Sequence, residues 1–213
     1  MLTANLERRR NLIFMSPSNL FRMGGLAAVG AGVLTIIGDL VGFGVYFKDM
    51  AVAATTFSYA LTFWLYMLGA VLLLGGLVAV YVYQSEEAGF LGVVGFVVAF
   101  LGTALIVGAN WAQVFVAPLL AANAPQIFEL GPPGGLLLTF ITLGVGWLLF
   151  GIATLRAGVF PRWAAILLTV GAVLFSFPVP LSGIVLSAAV IWLGLILLMG
   201  RGVASGEQPQ RVR

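Results

Sequence analysis

The sequence predicts an all-α protein, a polytopic transmembrane helical bundle, and three observations predict it. The chain of 213 residues is 62% hydrophobic and only 8% charged, with a mean hydropathy of +1.14; a soluble domain carries about 25% charged residues. Its 10 basic and 7 acidic side chains are separated by charge-free stretches at 50–85, 88–128, 130–155 and 163–200. The basic residues, finally, fall almost wholly on one side of the helices that those stretches define. A helix crossing a hydrocarbon core needs roughly 20 apolar residues, and the stretches supply them repeatedly. Disorder is excluded by the same numbers, because it requires low hydrophobicity and high charge.

The elements follow in order. Residues 1–22 read as a cytoplasmic segment, in which Leu2, Leu6, Ile13 and Phe14 beside Arg8, Arg9 and Arg10 suit an interfacial helix. Ser16-Pro17 suits an N-cap followed by the first helical residue. Residues 23–200 form the transmembrane domain, with six helices expected near 23–47, 57–83, 89–116, 135–156, 162–177 and 181–200. Ala51-Val52-Ala53 resembles a signal-peptidase site, but the apolar run before it is about twice a normal signal core. Lys48-Asp49 also intervene, so cleavage is not expected. The connection 118–134 carries a short surface helix at 121–130. Pro178-Val179-Pro180 interrupts the last charge-free stretch and suits a sharp turn. The span before it is short, and in the alternative reading the last two helices form a short hairpin that does not fully cross. Residues 201–213, with Gly, Ser, Gln and Pro, read as a flexible cytoplasmic tail.

With six spans, Arg8, Arg9, Arg10, Arg22, Arg156, Arg162, Arg201, Arg211 and Arg213 share one side and Lys48 alone takes the other. The positive-inside rule then places both termini in the cytoplasm. Attraction to anionic lipid accounts for the net charge of +3 without a nucleic-acid partner. The lipid bilayer is the expected environment, with a membrane-protein partner or a second copy of the chain as the remaining partners.

Chemistry is constrained by what the chain lacks. It has no cysteine and no histidine, which removes disulfides, thiolate and imidazole metal sites and every Ser-His or Cys-His pair. An intramembrane aspartyl protease needs two carboxylates sharing a proton, and only one lies within a span. Gly131-Pro-Pro-Gly-Gly lacks the lysine of a phosphate-cradling loop. No enzyme, cofactor or metal is expected.

The one intramembrane carboxyl is Asp39. Such a group is costly in lipid, faces the bundle interior and marks a functional site by default. Ala28, Gly32, Thr35, Asp39, Gly42 and Tyr46 recur at spacings of four and three, so they share one small or polar helix face. If the first helix runs to Phe47, Asp39 lies about 12 Å below its outer end. Tyr66, Asn110, Gln113 and Thr142 fall at comparable depth on later spans. Thr35, Asp39, Tyr46, Tyr66, Asn110, Gln113 and Thr142 are therefore the candidate ligand- or ion-binding residues, lining an outward-facing polar crevice above an apolar plug. The alternative is that Asp39 is protonated and hydrogen-bonded to a neighbouring helix.

The stretch Arg156-Ala-Gly-Val-Phe-Pro-Arg-Trp163, followed by Ala-Ala-Ile-Leu-Leu-Thr-Val-Gly, resembles a large group of uncharacterised bacterial polytopic proteins. In them a helix ending in Arg meets a short Pro-Arg-Trp turn before a glycine-containing span. The resemblance covers the last third of the chain and implies a bacterial, multi-span protein of the cytoplasmic membrane. The chain departs from many members in having fewer spans and no His-bearing outer loop. Two functions are expected. An accessory or scaffold subunit of a membrane complex accounts for the small size and sparse loops. A small channel or transporter, with Asp39 as its charge-selecting group, accounts for polar residues clustering at one depth.

Overall fold

In the computed structural model, residues 17–45, 47–130, 134–176 and 181–200 are described. The interfacial helix expected before residue 17 and the tail at 201–213 lie outside them. All regular structure among the described residues is helical: α1 Pro17–Gly42, α2 Met50–Ala54, α3 Phe57–Phe115, α4 Ala117–Asn123, α5 Pro125–Leu130, α6 Gly135–Ala157, α7 Arg162–Phe175 and α8 Gly183–Met199. Ser18–Gly42, the run Phe57–Asn123 and Gly135–Ala157 are long and apolar enough to cross a membrane. The 14 residues of α7 and 17 of α8 are shorter.

Two boundaries differ from expectation. Helix α1 starts at Pro17, the first helical residue that Ser16-Pro17 suited and earlier than the span bound near 23; its missing N–H costs nothing in a first turn, and residues 17–22 are its opening turns. It ends at Gly42 rather than near 47, with turns through Phe43, Gly44 and Val45. Asp39 therefore stands in the last turn of α1, closer to the helix end than the expected depth.

Helix α3 is broken at Gly89, whose φ of 55° and ψ of −154° are not helical, a backbone state open to glycine and strained for other residues. There the chain folds back. Tyr81 stacks on Phe96 at 4.3 Å between ring centroids, Trp64 meets Phe115 at 5.5 Å, and the Tyr59 hydroxyl donates to Gln113 Oε1. Segments 57–88 and 90–115 are thus antiparallel partners.

Around the axis the order is α1, 57–88, 90–115, α6, α7 and α8, and α8 packs on α1 to close a ring of antiparallel neighbours. The helices meet at small residues. A Cβ on Gly25 would lie 2.8 Å from Gly194 O, one on Gly76 2.9 Å from Ala28 Cα, and one on Gly102 2.5 Å from Leu143 Cα. Arg22, Arg156 and Arg162 come to one end and Lys48 to the other. Phe21, Tyr83 and Phe160 join the strand-free corners of the Arg156 end through ring contacts of 5.3 Å and 5.2 Å.

The Lys48 end carries the three short helices. Asp49 caps α2, accepting from Ala51 N at 2.9 Å and Val52 N at 3.2 Å. The expected surface helix at 121–130 is divided between α4 and α5, because the residue before Pro125 is held out of the helical region (Ala124, φ −148°, ψ 60°). These pieces pack through Val45, Ala53, Tyr59, Ala117, Ala121 and Phe128. The ring's perimeter is apolar and exposed, as at Leu40, Leu101, Leu138 and Trp192, which is the surface that a bilayer covers.

Gly102→Ala should lower stability by about 1–3 kcal/mol, because the methyl meets backbone and not a movable side chain. Gly108→Ala, with nothing within 4 Å, should leave stability unchanged or raise it by up to about 1 kcal/mol. Thermal unfolding of both variants in detergent checks the pair.

Candidate functional site

Toward the Lys48 end the ring does not fill its own centre. A cavity of about 350 Å³ lies there, with walls from α1, both segments of α3, α6, α7 and α8. Its polar groups come from Thr35 and Asp39 on α1, Tyr66, Asn110 and Gln113 on α3, Ser182 at the N-cap of α8 and Ser187 on α8. Phe63, Phe140, Trp147 and Phe175 give it aromatic walls.

Asp39 is the centre of the arrangement. The residue is 6% exposed. Its Oδ1 accepts a 2.6 Å hydrogen bond from the Tyr66 hydroxyl, whereas its buried Oδ2 has no hydrogen-bond partner among the described residues. Oδ2 points at Gly183, where an added Cβ would sit 2.9 Å from it and 3.5 Å from Phe175 Cε2. Two helix ends thus act on one carboxyl. The last turn of α1 carries the negative end of its peptide dipole and disfavours a negative charge, while the first turn of α8 carries a positive end and favours it. Leu181, at φ 67°, adopts a left-handed backbone that is uncommon for a side chain of its size, and from there the chain turns into α8.

The sequence-derived candidates divide as follows. Thr35, Asp39, Tyr66, Asn110 and Gln113 all line the cavity. The Thr35 hydroxyl donates to Ala31 O at 2.9 Å, so its polar hydrogen is already engaged. Gln113 is held by Tyr59. Tyr46 lies outside the described residues. Thr142 does not line the cavity: the face of α6 that does so runs through Leu136, Phe140, Leu143 and Trp147, and Thr142 is turned by about 100° from Leu143. Its depth on the helix is right and its direction is not.

Beneath the cavity the centre of the ring is filled by side chains, mostly apolar. Leu73, Trp147 and Val190 form the cavity floor and also border a second void of about 10 Å³ lined by Leu77, Phe150 and Leu193. The Trp147 indole donates to Thr103 Oγ1 at 3.1 Å, and Thr103 in turn donates to Ala99 O at 2.7 Å. Below that, Gln84 Nε2 donates to Thr154 Oγ1 at 2.9 Å in full burial.

Sequence reasoning missed Gly183 and the aromatic walls. Apolar residues in an apolar span carry no signal of which way they face, and a glycine among 28 does not stand out. It also missed the buried pair Gln84–Thr154, since Gln84 precedes Ser85-Glu86-Glu87 and reads as part of a turn.

Tyr66→Phe removes the donor to Asp39 Oδ1 and should lower stability by about 1–3 kcal/mol, whereas Thr142→Ala should stay within about 0.5 kcal/mol. Denaturant titration in micelles compares them. No family model, curated protein or solved structure matches the chain.

Proposed function

We propose that this chain is a six-span protein of the bacterial cytoplasmic membrane that binds a small solute in its central cavity and passes it across the bilayer, as a small transporter or channel. The observation that carries this reading is a buried carboxyl, Asp39, one oxygen of which has no partner among the described residues and which lines a cavity at the centre of an apolar-walled ring. Small-molecule sites are concave, mostly apolar and furnished with few polar groups, and intramembrane carboxyls mark solute and ion pathways. In this reading segments 57–88 and 90–115 are separate spans, and α7 and α8 are the fifth and sixth. Both termini and the Arg156 end face the cytoplasm, so the cavity lies in the outer half. The floor of Leu73, Trp147 and Val190 must then move for passage.

A second reading, an accessory or scaffold subunit, rests on the wide exposed apolar perimeter, which suits another membrane protein as well as lipid. Neither reading assigns a catalytic residue.

Orientation is checked by single cysteines, since the natural chain has none. In intact cells a membrane-impermeant maleimide should label Lys48→Cys and spare Arg162→Cys; the reverse pattern inverts the topology. For transport, the purified protein is reconstituted in liposomes and assayed with protons, potassium and a set of small organic cations. Flux above empty vesicles should fall by about tenfold or more in Asp39→Asn, the scale of a lost charge-assisted hydrogen bond. Absence of flux, together with a stoichiometric partner in the purified material, would favour the accessory reading.

A further inference from the structure

Resting on the cavity-binding reading above, we infer that the ligand is a small organic ammonium ion, a protonated primary or secondary amine on an aromatic or aliphatic body, with its N–H donating to the Asp39 carboxylate. Four features of the site select this chemistry.

The carboxylate comes first. One oxygen of Asp39 is engaged by Tyr66 and the other is buried without a partner among the described residues. A carboxylate only accepts hydrogen bonds, so what completes it is a donor. A charged donor gives a shorter and stronger bond than a neutral one.

The second feature is the count of charges. No group of three or more His, Cys, Asp or Glu side chains comes together among the described residues. A hard divalent cation takes several oxygen ligands and commonly more than one carboxylate. One carboxylate matches one positive charge.

Third, the cavity that Asp39 lines has aromatic walls. Tyr66 meets Phe63 edge-on at 5.9 Å, and across the carboxyl Phe175, whose Cε2 flanks Gly183, pairs with Phe140 at 6.5 Å. Ring faces attract ammonium ions electrostatically, and they also accept the apolar body that a bare alkali ion lacks.

Size is the fourth. About 350 Å³ is at the small end of the roughly 300–1,000 Å³ typical of ligand pockets, which suits a compact amine. Gly183 acts here by omission: a methyl at that position would stand 2.9 Å from Oδ2, in the space an ammonium group needs.

The test compares 4-phenylbutylammonium with the uncharged 4-phenylbutanol on the full-length protein in detergent, by isothermal titration at neutral pH. The parent should bind the ammonium about ten- to a hundredfold more tightly than the alcohol, the range for a hydrogen bond to a charged group. Asp39→Asn should erase that preference while keeping alcohol binding. Gly183→Ala should weaken the ammonium more than the alcohol. Equal affinity of the parent for both probes overturns the ammonium assignment and leaves a cavity that binds apolar molecules. Failure of the folded parent to bind either probe overturns the assignment and the cavity-binding reading together. Tight, Asp39-dependent ammonium binding without flux in liposomes sustains the assignment and removes only transport. Because the first comparison uses the parent alone, an unstable variant cannot mask the outcome.

Discussion

Helices in lipid gain little from hydrophobic association, since the acyl chains are as apolar as the side chains they would displace. What holds this ring together is therefore close backbone approach, and nearly every interface in it depends on a residue without a side chain. Gly76 meets Ala28 between α1 and α3, Gly102 and Gly146 seat α3 against α6, and Gly151 sets α6 against Thr169 of α7. Gly171 sets α7 against Leu186 of α8, and Gly25 and Gly194 face each other where α8 returns to α1. The exception is the hairpin within α3, joined by aromatic pairs and the Tyr59–Gln113 hydrogen bond. Six helices drawn in at their contact lines form a closed wall. At the Arg156 end, Leu77, Phe150 and Leu193 fill the middle; toward the Lys48 end the same wall surrounds a space that its side chains leave open.

The electrostatics of that space follow from where helices end. Because α1 stops at Gly42 and α8 begins at Gly183, Asp39 stands between two opposed peptide dipoles. A continuous helix through either region would leave the carboxyl facing only paired backbone. The short α2, α4 and α5 lie over this end of the ring, and Met50 of α2 reaches the cavity wall. The polar site thus arises where chain turns replace continuous helix, and the apolar half where helices run through.

Much of this was legible in the sequence, and the reason is specific. Charge-free stretches mark apolar helices because a charge in lipid is costly, so the break near Gly89 could be placed from Glu86-Glu87, and the one between α7 and α8 from Pro178-Val179-Pro180 inside the last stretch. The α1 face through Gly32, Thr35 and Asp39 was legible from helical periodicity, since those small or polar residues stand against apolar neighbours. Depth along a span was legible by counting, which put Tyr66, Asn110 and Gln113 at one level. Rotation was not. Thr142 shares that level yet turns from the cavity, because a span apolar on every side gives no periodic contrast from which to fix its azimuth. The early end of α1 was hidden for a related reason: Phe43, Val45 and Phe47 continue the apolar run, and hydropathy does not register that Gly42 and Gly44 release the helix.

The floor of the cavity has a mechanical consequence. Leu73, Trp147 and Val190 belong to three different helices, and each touches the open space above and the small void below. Nothing but this single layer of side chains separates the two. Any displacement of the Trp147 indole pulls on its hydrogen bond to Thr103 and, through it, on the α3–α6 seam where Ala99 meets Gly146. The cavity floor is thus tied by hydrogen bonds to the α3–α6 seam of its own wall.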